Sequence, residues 1–372
     1  MHILFAGGGT AGHINPALAI AGYIKEKHPD TKISYIGTAV KLEAKLVPAA
    51  GYDFYTIDVA GFQRKISLKN IARNVVALKK MFSSSKQARR LLKELKPDIV
   101  VGTGGYVSGP VLREAVKLGI KTAIHEQNAF PGITTKALAQ NVDRVMLAVP
   151  GTEKFLKCKN TPIITGNPVR KELLETGREE ARAKLGLDNR PLILSFGGSL
   201  GAGPINRAVS GLILSHNGSG RYYHIHATGK LGYSETINEL NNKCESLSDE
   251  ITVREYIDDM NICMAAADLV ISRAGAITLS ELCTCAKPSI LIPSPYVAEN
   301  HQYHNAMALK RNGAAEIIEE KDLTEQKLID TVSLILNDKK KLEEMKIGAR
   351  KSAIFDACER IYEVIISLYS QK

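Results

Sequence analysis

The sequence contains no tryptophan, and aromatic residues make up only 6% of it. In the basic stretch Gly61–Lys96 in particular, rings that could stack nucleic-acid bases are scarce. No apolar run reaches the ~18 residues that a membrane-spanning helix needs. The chain opens directly on a strand-like run, which predicts no signal peptide. The six cysteines, Cys158, Cys244, Cys263, Cys283, Cys285 and Cys358, never fall at Cys-x-x-Cys spacing. They read as small buried hydrophobes of a reducing compartment, and no His/Cys cluster has the spacing of metal ligands. Asp-x-Asp is absent, and no lysine follows a glycine loop as in a P-loop, which argues against ATP hydrolysis of that type. Acidic residues are the minority charge: 39 Asp and Glu face 49 Lys and Arg, a formal net charge of +10. That balance suits an anionic partner, whether nucleic acid, lipid head groups or a phosphorylated substrate.

At 372 residues the length predicts two domains. The opening stretch MHILFAGGGTAGHINPALAIA sets the pattern. His2–Ala6 reads as a buried strand. Gly7, Gly8, Gly9, Thr10, Gly12 and His13 form a loop, and a helix is expected from about Asn15, a good N-cap with Pro16 at its first position. Leu18, Ala21 and Ile24 continue it at helical spacing. Free N–H groups and the positive end of a helix make such a loop an anion site, and glycine lets the backbone come close. His13 adds an imidazole, the side-chain type that can titrate near neutral pH.

Further strands are expected at Lys32–Ile36, Asp98–Gly102, Lys121–His125, Arg144–Val149 and Ile163–Thr165. They alternate with helical or loop segments, the rhythm of a parallel α/β sheet. Lys32–Ile36 ends in Gly37-Thr38, and Glu43 comes too late to hold a nicotinamide ribose, which weakens a dinucleotide reading. GTGGYVSGP follows the third strand as a second glycine loop, and the next strand ends in His125-Glu126-Gln127-Asn128. Ligands collect beyond the carboxyl ends of parallel strands. Gly7–His13, Gly102–Gly109 and Glu126–Asn128 are therefore expected on one wall.

Gly166-Asn167-Pro168 breaks the chain, and the opening pattern then repeats. Leu192–Phe196 is a strand, GGSLGAG a glycine loop, and Pro204 to Leu214 a helix. Strands follow at Tyr222–Ala227, Ile251–Glu255, Leu269–Ser272 and Lys287–Ile292. Helices are expected at Met260–Ala267, from near Ile277 through Glu281, at Glu299–Arg311 and at about Ala357–Tyr369. Asp258-Asp259 reads as a turn. The stretch Gly61–Lys96 carries eleven Lys and Arg against the single acid Glu94, with Leu68, Ile71, Val75, Leu78 and Phe82 at helical spacing. That stripe is either core with a basic wet face or a basic amphipathic surface for an anionic membrane.

Two glycine-loop domains make a cleft suited to a diphosphate held by backbone dipoles and arginine. The runs GGGTAGHINPALA, GTGGYVSGP, HEQN, GNPVR, GGSLGA, SRAGAITLSEL and NHQYHNA, in that order, resemble the MurG family of bacterial peptidoglycan N-acetylglucosamine transferases. The resemblance implies a GT-B fold, two Rossmann-like domains with parallel sheets facing across a cleft. It divides the chain into residues 1–165, with a C-terminal helix of about 353–372 packing back, and residues 166–352. It implies inverting transfer of N-acetylglucosamine (GlcNAc) from UDP-GlcNAc to O4 of undecaprenyl-diphosphate-linked N-acetylmuramoyl pentapeptide, lipid I, giving lipid II and UDP. No cofactor and no metal are expected. The implied partners are UDP-GlcNAc, lipid I, an anionic membrane surface and other proteins of cell-wall synthesis, without nucleic acid. The implied place is peripheral, on the cytoplasmic face of the cell membrane.

Carried over by motif, the resemblance puts Thr10, Ala11, Gly12 and Asn128 on the donor-sugar side. Arg170 and Ser199 belong to the donor diphosphate, Ile257 to the uracil, and Ala276, Ile277 and Thr278 to the nucleotide. Glu281 would grip the ribose hydroxyls and Gln302 would read sugar hydroxyls, while His301 stands where some members have Gln. Gly8, Gly9, Gly104, Gly105 and Tyr106 face the acceptor diphosphate. His13 and Glu126 are the candidate bases. A helix N-terminus favours a neutral imidazole, the form a base needs, which puts His13 first; the alternative role is an acceptor-diphosphate ligand. Two rival functions share much of this pattern: a UDP-GlcNAc 2-epimerase, and a non-catalytic UDP-sugar-binding scaffold. Movement of labelled sugar from UDP-GlcNAc into a lipid-extractable product separates both from a transferase.

With neither Asp-x-Asp nor a ligand cluster, arginine and helix dipoles must neutralise the departing UDP. Saturating EDTA should leave most of the transfer rate intact; a rate that collapses and returns with Mg²⁺ or Mn²⁺ contradicts this.

Overall fold

The computed structural model describes residues 1–59 and 83–370. The apolar stripe Leu68, Ile71, Val75, Leu78 and Phe82 lies outside the described residues. The chain divides into unit 1, Met1–Pro168 with Asp356–Lys372, and unit 2, Val169–Phe355.

Among the described residues, unit 1 is built on a seven-stranded sheet, all parallel, in the order β3-β2-β1-β4-β5-β6-β7. The strands are β1 (His2–Gly7), β2 (Lys32–Gly37), β3 (Asp53–Thr56), β4 (Ile99–Gly104), β5 (Lys121–Glu126), β6 (Arg144–Leu147) and β7 (Ile163–Ile164). Its helices are α1 (Ala11–Lys27), α2 (Glu43–Ala49), α3 (residues 83–95), α4 (Gly105–Lys117) and α5 (Ile133–Leu138). Both faces of the sheet are covered, so the strands read as near-continuous apolar runs. Their alternation splits them between two cores. Ile3, Phe5, Ile33, Ile99 and Val101 pack with Ile14, Ala17, Ile20 and Ile24 of α1. Leu4, Ala6, Ile36, Val100 and Ile124 pack with Val111, Leu112 and Ala115 of α4.

Unit 2 repeats the plan with six parallel strands in the order β10-β9-β8-β11-β12-β13. They are β8 (Leu192–Phe196), β9 (Tyr223–Ala227), β10 (Ile251–Arg254), β11 (Leu269–Ser272), β12 (Ser289–Leu291) and β13 (Ala315–Ile317). Short helices α6 (Lys171–Glu175) and α7 (Arg178–Lys184) precede them. Then come α8 (Gly203–His216), α9 (Tyr233–Lys243), α10 (Met260–Ala266), α11 (Ala276–Thr284), α12 (His301–Arg311), α13 (Glu325–Leu336) and α14 (Lys339–Lys351). The last helix, α15 (Ala357–Tyr369), belongs to unit 1. It buries Ile361, Ile365 and Leu368 in the α1 core, and its Tyr362 hydroxyl lies 2.6 Å from His28 Nε2. Among the described residues no helix is long and apolar enough to cross a membrane.

Two local expectations are corrected. The first helix starts at Ala11, not near Asn15, so Gly12 and His13 lie in its first turn and Asn15 is an exposed helical residue. Extended backbone at Thr10 (φ −142°, ψ 155°) launches the helix straight from the glycine loop. Pro16 sits inside α1 and costs it the bond to the Gly12 carbonyl. GTGGYVSGP is likewise not a loop. Gly104 ends β4 and caps α4, which begins at Gly105 and contains Pro110.

Unit 2 buries a row of histidines, His224 and His226 on β9 and His216 at the end of α8, beside Ser195 of β8. Ser195 Oγ lies 2.8 Å from both His224 Nε2 and His226 Nδ1, and His224 Nδ1 lies 3.2 Å from His216 Nε2. Burial pushes His216 and His226 down to about 4 and His224 well below its ordinary value. In unit 1, burial lowers His125 in the same sense. The unfolded chain binds protons on these rings first, so their contribution is complete above the ordinary histidine range. It is lost as pH falls through that range toward about 4. The unfolding free energy read from urea titrations should therefore drop steeply from pH 7 to pH 4.5, by roughly 3 kcal/mol for His226 alone, and the midpoint should fall with it. A midpoint that is flat over this interval contradicts the assignment of neutral buried rings.

Candidate functional site

In both units the strand order reverses between the first strand and its neighbour on the other side, at β1/β4 and at β8/β11. Ligands of open parallel sheets bind outside the carboxyl ends of the strands at such a reversal. The loops at those two points are the glycine-rich ones.

In unit 1 the pairing of β1 with β4 slips between Ala6 and Gly7, a bulge at the rim of the site. The slip brings the start of α4 against the first loop. A Cβ on Gly105 (φ +78°) would lie 2.3 Å from the Gly8 carbonyl oxygen, and one on Gly104 (φ +102°) 2.8 Å from His13 Cδ2. Only glycine permits both the left-handed backbone and this approach. Gly8, Gly9, Gly104, Gly105 and His13 are thus brought together, as the sequence predicts. Tyr106 lies beside them, 62% exposed. Thr10, Ala11 and Gly12 present the open first turn of α1.

His13 is half-buried, and its Nδ1 lies 3.1 Å from the Gly8 carbonyl oxygen. A carbonyl only accepts, so Nδ1 carries the proton and the neutral ring leaves Nε2 bare. This is the tautomer in which Nε2 can take a proton.

Glu126 is buried and fully engaged. Oε1 accepts from the Asn128 backbone N–H (3.1 Å) and side-chain amide (3.0 Å). Oε2 accepts from Gly132 N–H (3.0 Å) and Thr135 Oγ1 (2.5 Å). The carboxylate shapes the 126–135 turn and aims Asn128; four donors leave it poorly placed to act as a base. Its neighbour His125 is fully buried, within 2.9 Å of the Gly166 carbonyl and 3.0 Å of the Gln127 amide. Asn167 donates to the Gln127 carbonyl at 3.1 Å. HEQN and the start of GNPVR therefore form one hydrogen-bonded knot. Thr134 ties this turn to α4 through the Gly105 carbonyl at 3.4 Å.

The sequence reading misses Glu43. It is fully buried, and it accepts from Gly9 N–H (3.0 Å), Thr38 N–H (3.2 Å) and Thr38 Oγ1 (2.7 Å). Its position after the second strand is visible in the sequence, but only as a ribose ligand that comes too late.

In unit 2, Arg170 caps α6 and its Nε donates to Glu281 Oε1 at 3.0 Å. Burial raises the Glu281 carboxyl, and the Arg170 charge opposes that rise. Ala276, Ile277 and Thr278 form the first turn of α11 behind the Gly275 cap, half-buried. Ile257 is buried in the core before α10, and Ser199 is exposed at the tip of the glycine loop. Asp258-Asp259 forms the expected turn, with Asp259 paired to Arg254 at 2.8 Å. Gln302 lines a cavity of about 450 Å³ with Gly197, Gly201, Arg273, Tyr296 and Glu320. Its Oε1 accepts from Ser294 N–H at 2.9 Å, which turns its NH₂ end outward as donor. His301 Nδ1 lies 2.8 Å from the Ala298 carbonyl, so it braces the start of α12. Arg273 was not singled out by the sequence. It pairs with Glu320 and donates to the Ile292 carbonyl at 3.1 Å.

Residues 3–147 match the glycosyltransferase family 28 N-terminal domain, and residues 192–361 its C-terminal domain. A protein of Acetivibrio thermocellus is 48% identical, covering 100% of this chain and 99% of its own length. It is named UDP-N-acetylglucosamine–N-acetylmuramyl-(pentapeptide) pyrophosphoryl-undecaprenol N-acetylglucosamine transferase. Among solved structures, Acinetobacter baumannii MurG is similar with a TM-score of 0.79 at 29% identity, over 98% of this chain and 99% of that one. A UDP-GlcNAc 2-epimerase of Neisseria meningitidis shares the fold alone, with a TM-score of 0.66 at 14% identity over 99% and 100% of the two chains. Two family domains in series, each on its own parallel sheet, and full-length identity near one half make this chain a member of glycosyltransferase family 28, with the GT-B architecture.

Proposed function

We propose that this chain transfers GlcNAc from UDP-GlcNAc to O4 of lipid I, yielding lipid II and UDP, with His13 as the base. The full-length similarity to transferases of that name supports the reaction. The observation that carries the base assignment is the His13 Nδ1 contact with the Gly8 carbonyl. The acceptor hydroxyl gives its proton to His13 Nε2 while its oxygen attacks the anomeric carbon. The bond from that carbon to the UDP oxygen breaks, and the electron pair leaves on the β-phosphate. Attack from the face opposite UDP inverts the centre.

Unit 2 supplies the donor chemistry. Glu281 accepts from the ribose hydroxyls, Arg170 and the glycine-loop backbone at Ser199 meet the diphosphate, and Ala276–Thr278 present N–H groups at a helix N-terminus. Ile257 backs the uracil, and Gln302 reads sugar hydroxyls with its NH₂. In unit 1, Gly8, Gly9, Gly104, Gly105 and Tyr106 receive the acceptor diphosphate, and Thr10, Ala11, Gly12 and Asn128 the transferring sugar. Because lipid I is anchored in the membrane, the enzyme works peripherally at the cytoplasmic face. The excess of Lys and Arg supports attachment to an anionic surface. The full-length similarity to transferases of that name favours the transferase over the epimerase and scaffold readings.

His13→Ala should lower kcat by roughly 10²–10⁴ at saturating acceptor and abolish the acidic limb of the rate profile measured from about pH 5 to pH 9. A raised acceptor KM with wild-type kcat would instead make His13 a diphosphate ligand. Glu281→Ala should weaken UDP by on the order of 2–3 kcal/mol, the worth of hydrogen bonds to a charged group, as read by calorimetry. Unchanged UDP affinity places the ribose elsewhere.

A further inference from the structure

We propose that Glu43 is a positioning residue for His13, acting through the peptide group that joins Gly8 to Gly9. The inference rests on His13 as the base and adds a second group to that site. The Gly9 N–H donates to Glu43 Oε2 at 3.0 Å, and the Gly8 carbonyl lies 3.1 Å from His13 Nδ1. These are the two ends of one amide. The peptide is trans, as no cis bond occurs among the described residues, so its N–H and C=O point in opposite directions. Carboxylate, amide and imidazole therefore form a chain in which each link polarises the next.

The slot that holds Glu43 is made by missing side chains. A Cβ on Gly8 would lie 2.4 Å from Glu43 Oε1, and one on Gly37 would lie 2.6 Å from Glu43 Cγ. All three groups bonded to the carboxylate are neutral donors, the pattern that suits an acceptor-only anion. Tyr35 of β2 also feels this charge; burial above all, with Glu43 adding to it, pushes its phenol up, so it stays neutral. Glu43 thus places a negative charge behind an amide whose oxygen faces His13. When Nε2 takes the acceptor proton, the ring becomes a cation, and the polarised carbonyl stabilises its Nδ1–H. In the neutral state the same carbonyl holds the ring in the Nδ1–H tautomer. Glu126 differs, because its amide partners lead to no titrating ring.

The experiment uses the full chain and reads His13 by nitrogen NMR alongside kinetics. In the wild-type protein the Gly9 amide resonance should titrate with the His13 midpoint and go flat in His13→Ala. Glu43→Gln keeps the size and one accepting oxygen but removes the charge. It should lower the His13 midpoint by about 0.5–1 unit. It should also cut kcat about tenfold with both KM values within about twofold. In the His13→Ala background the same change should alter kcat less than about twofold, because the two groups act as one. A flat Gly9 resonance in wild type, or an unmoved His13 midpoint in Glu43→Gln, overturns the inference. So does an equal kcat loss in both backgrounds, which makes Glu43 a loop support only. A His13 midpoint that moves while kcat stays at wild type upholds the coupling and refutes His13 as the base.

Discussion

Glu43 has no exposed surface, and the three donors it accepts come from two different strand ends, Gly9 after β1 and Thr38 after β2. An all-parallel sheet ends every strand on the same edge, and the turns leaving that edge carry backbone N–H groups without ladder partners. A buried carboxylate answers several of them at once. It can do so only where neighbours lack side chains, which is why Gly8 and Gly37 bracket it. With Gly9 fixed, the Gly8 carbonyl is fixed, and with it His13. Gly105 then docks on Gly8, so the start of α4 takes its place from the same interaction. Glu126 repeats the device at the end of β5, two strands from β1 across the sheet, and holds the turn that presents Asn128.

Much of the fold is legible in the sequence because strands buried on both faces are unbroken apolar runs. Leu192–Phe196, Leu269–Ser272 and Ala357–Tyr369 fall where the pattern puts them. The strands without a place in the reading are β3 and β13. Both are short edge strands, only partly buried, and Asp53–Thr56 has no apolar run to declare it. Helix starts are less legible for a related reason. Asn15-Pro16 and the glycines of GTGGYVSGP carry strong local signals for caps and loops, yet tertiary packing starts α1 at Ala11 and α4 at Gly105.

The site is legible where chemistry sits inside a motif and obscure where it depends on a long-range partner. His13 and the glycines around it share one loop and its neighbour, and the structure brings them together. Glu43 is separated from Gly9 by the whole of α1 and β2, and nothing local announces that its carboxylate points back. Arg273 lies within SRAGA, but its partner Glu320 is 47 residues away in a charged turn of no distinctive pattern.

Arg170 and Arg273 of unit 2 are not equivalent, and burial sets them apart. Arg273 and Glu320 are 15% and 10% exposed, and Arg273 is further held by the Ile292 carbonyl. Pulling either away would leave a largely buried charge without its partner, which is destabilising. That pair is therefore fixed and shapes the cavity beside the glycine loop. Arg170 is 53% exposed while its partner Glu281 is 10% exposed. An exposed guanidinium gains little from its carboxylate and gives it up cheaply. The buried Glu281, raised by desolvation, needs a donor to stay ionised, and a ribose diol offers two. In the proposed donor complex, a nucleotide bringing the diol to Glu281 and a diphosphate to Arg170 would satisfy both members of the pair at once. On the donor assignment proposed above, the Arg170–Glu281 pair would exchange for the nucleotide's own contacts, an exchange that leaves no charge without a partner.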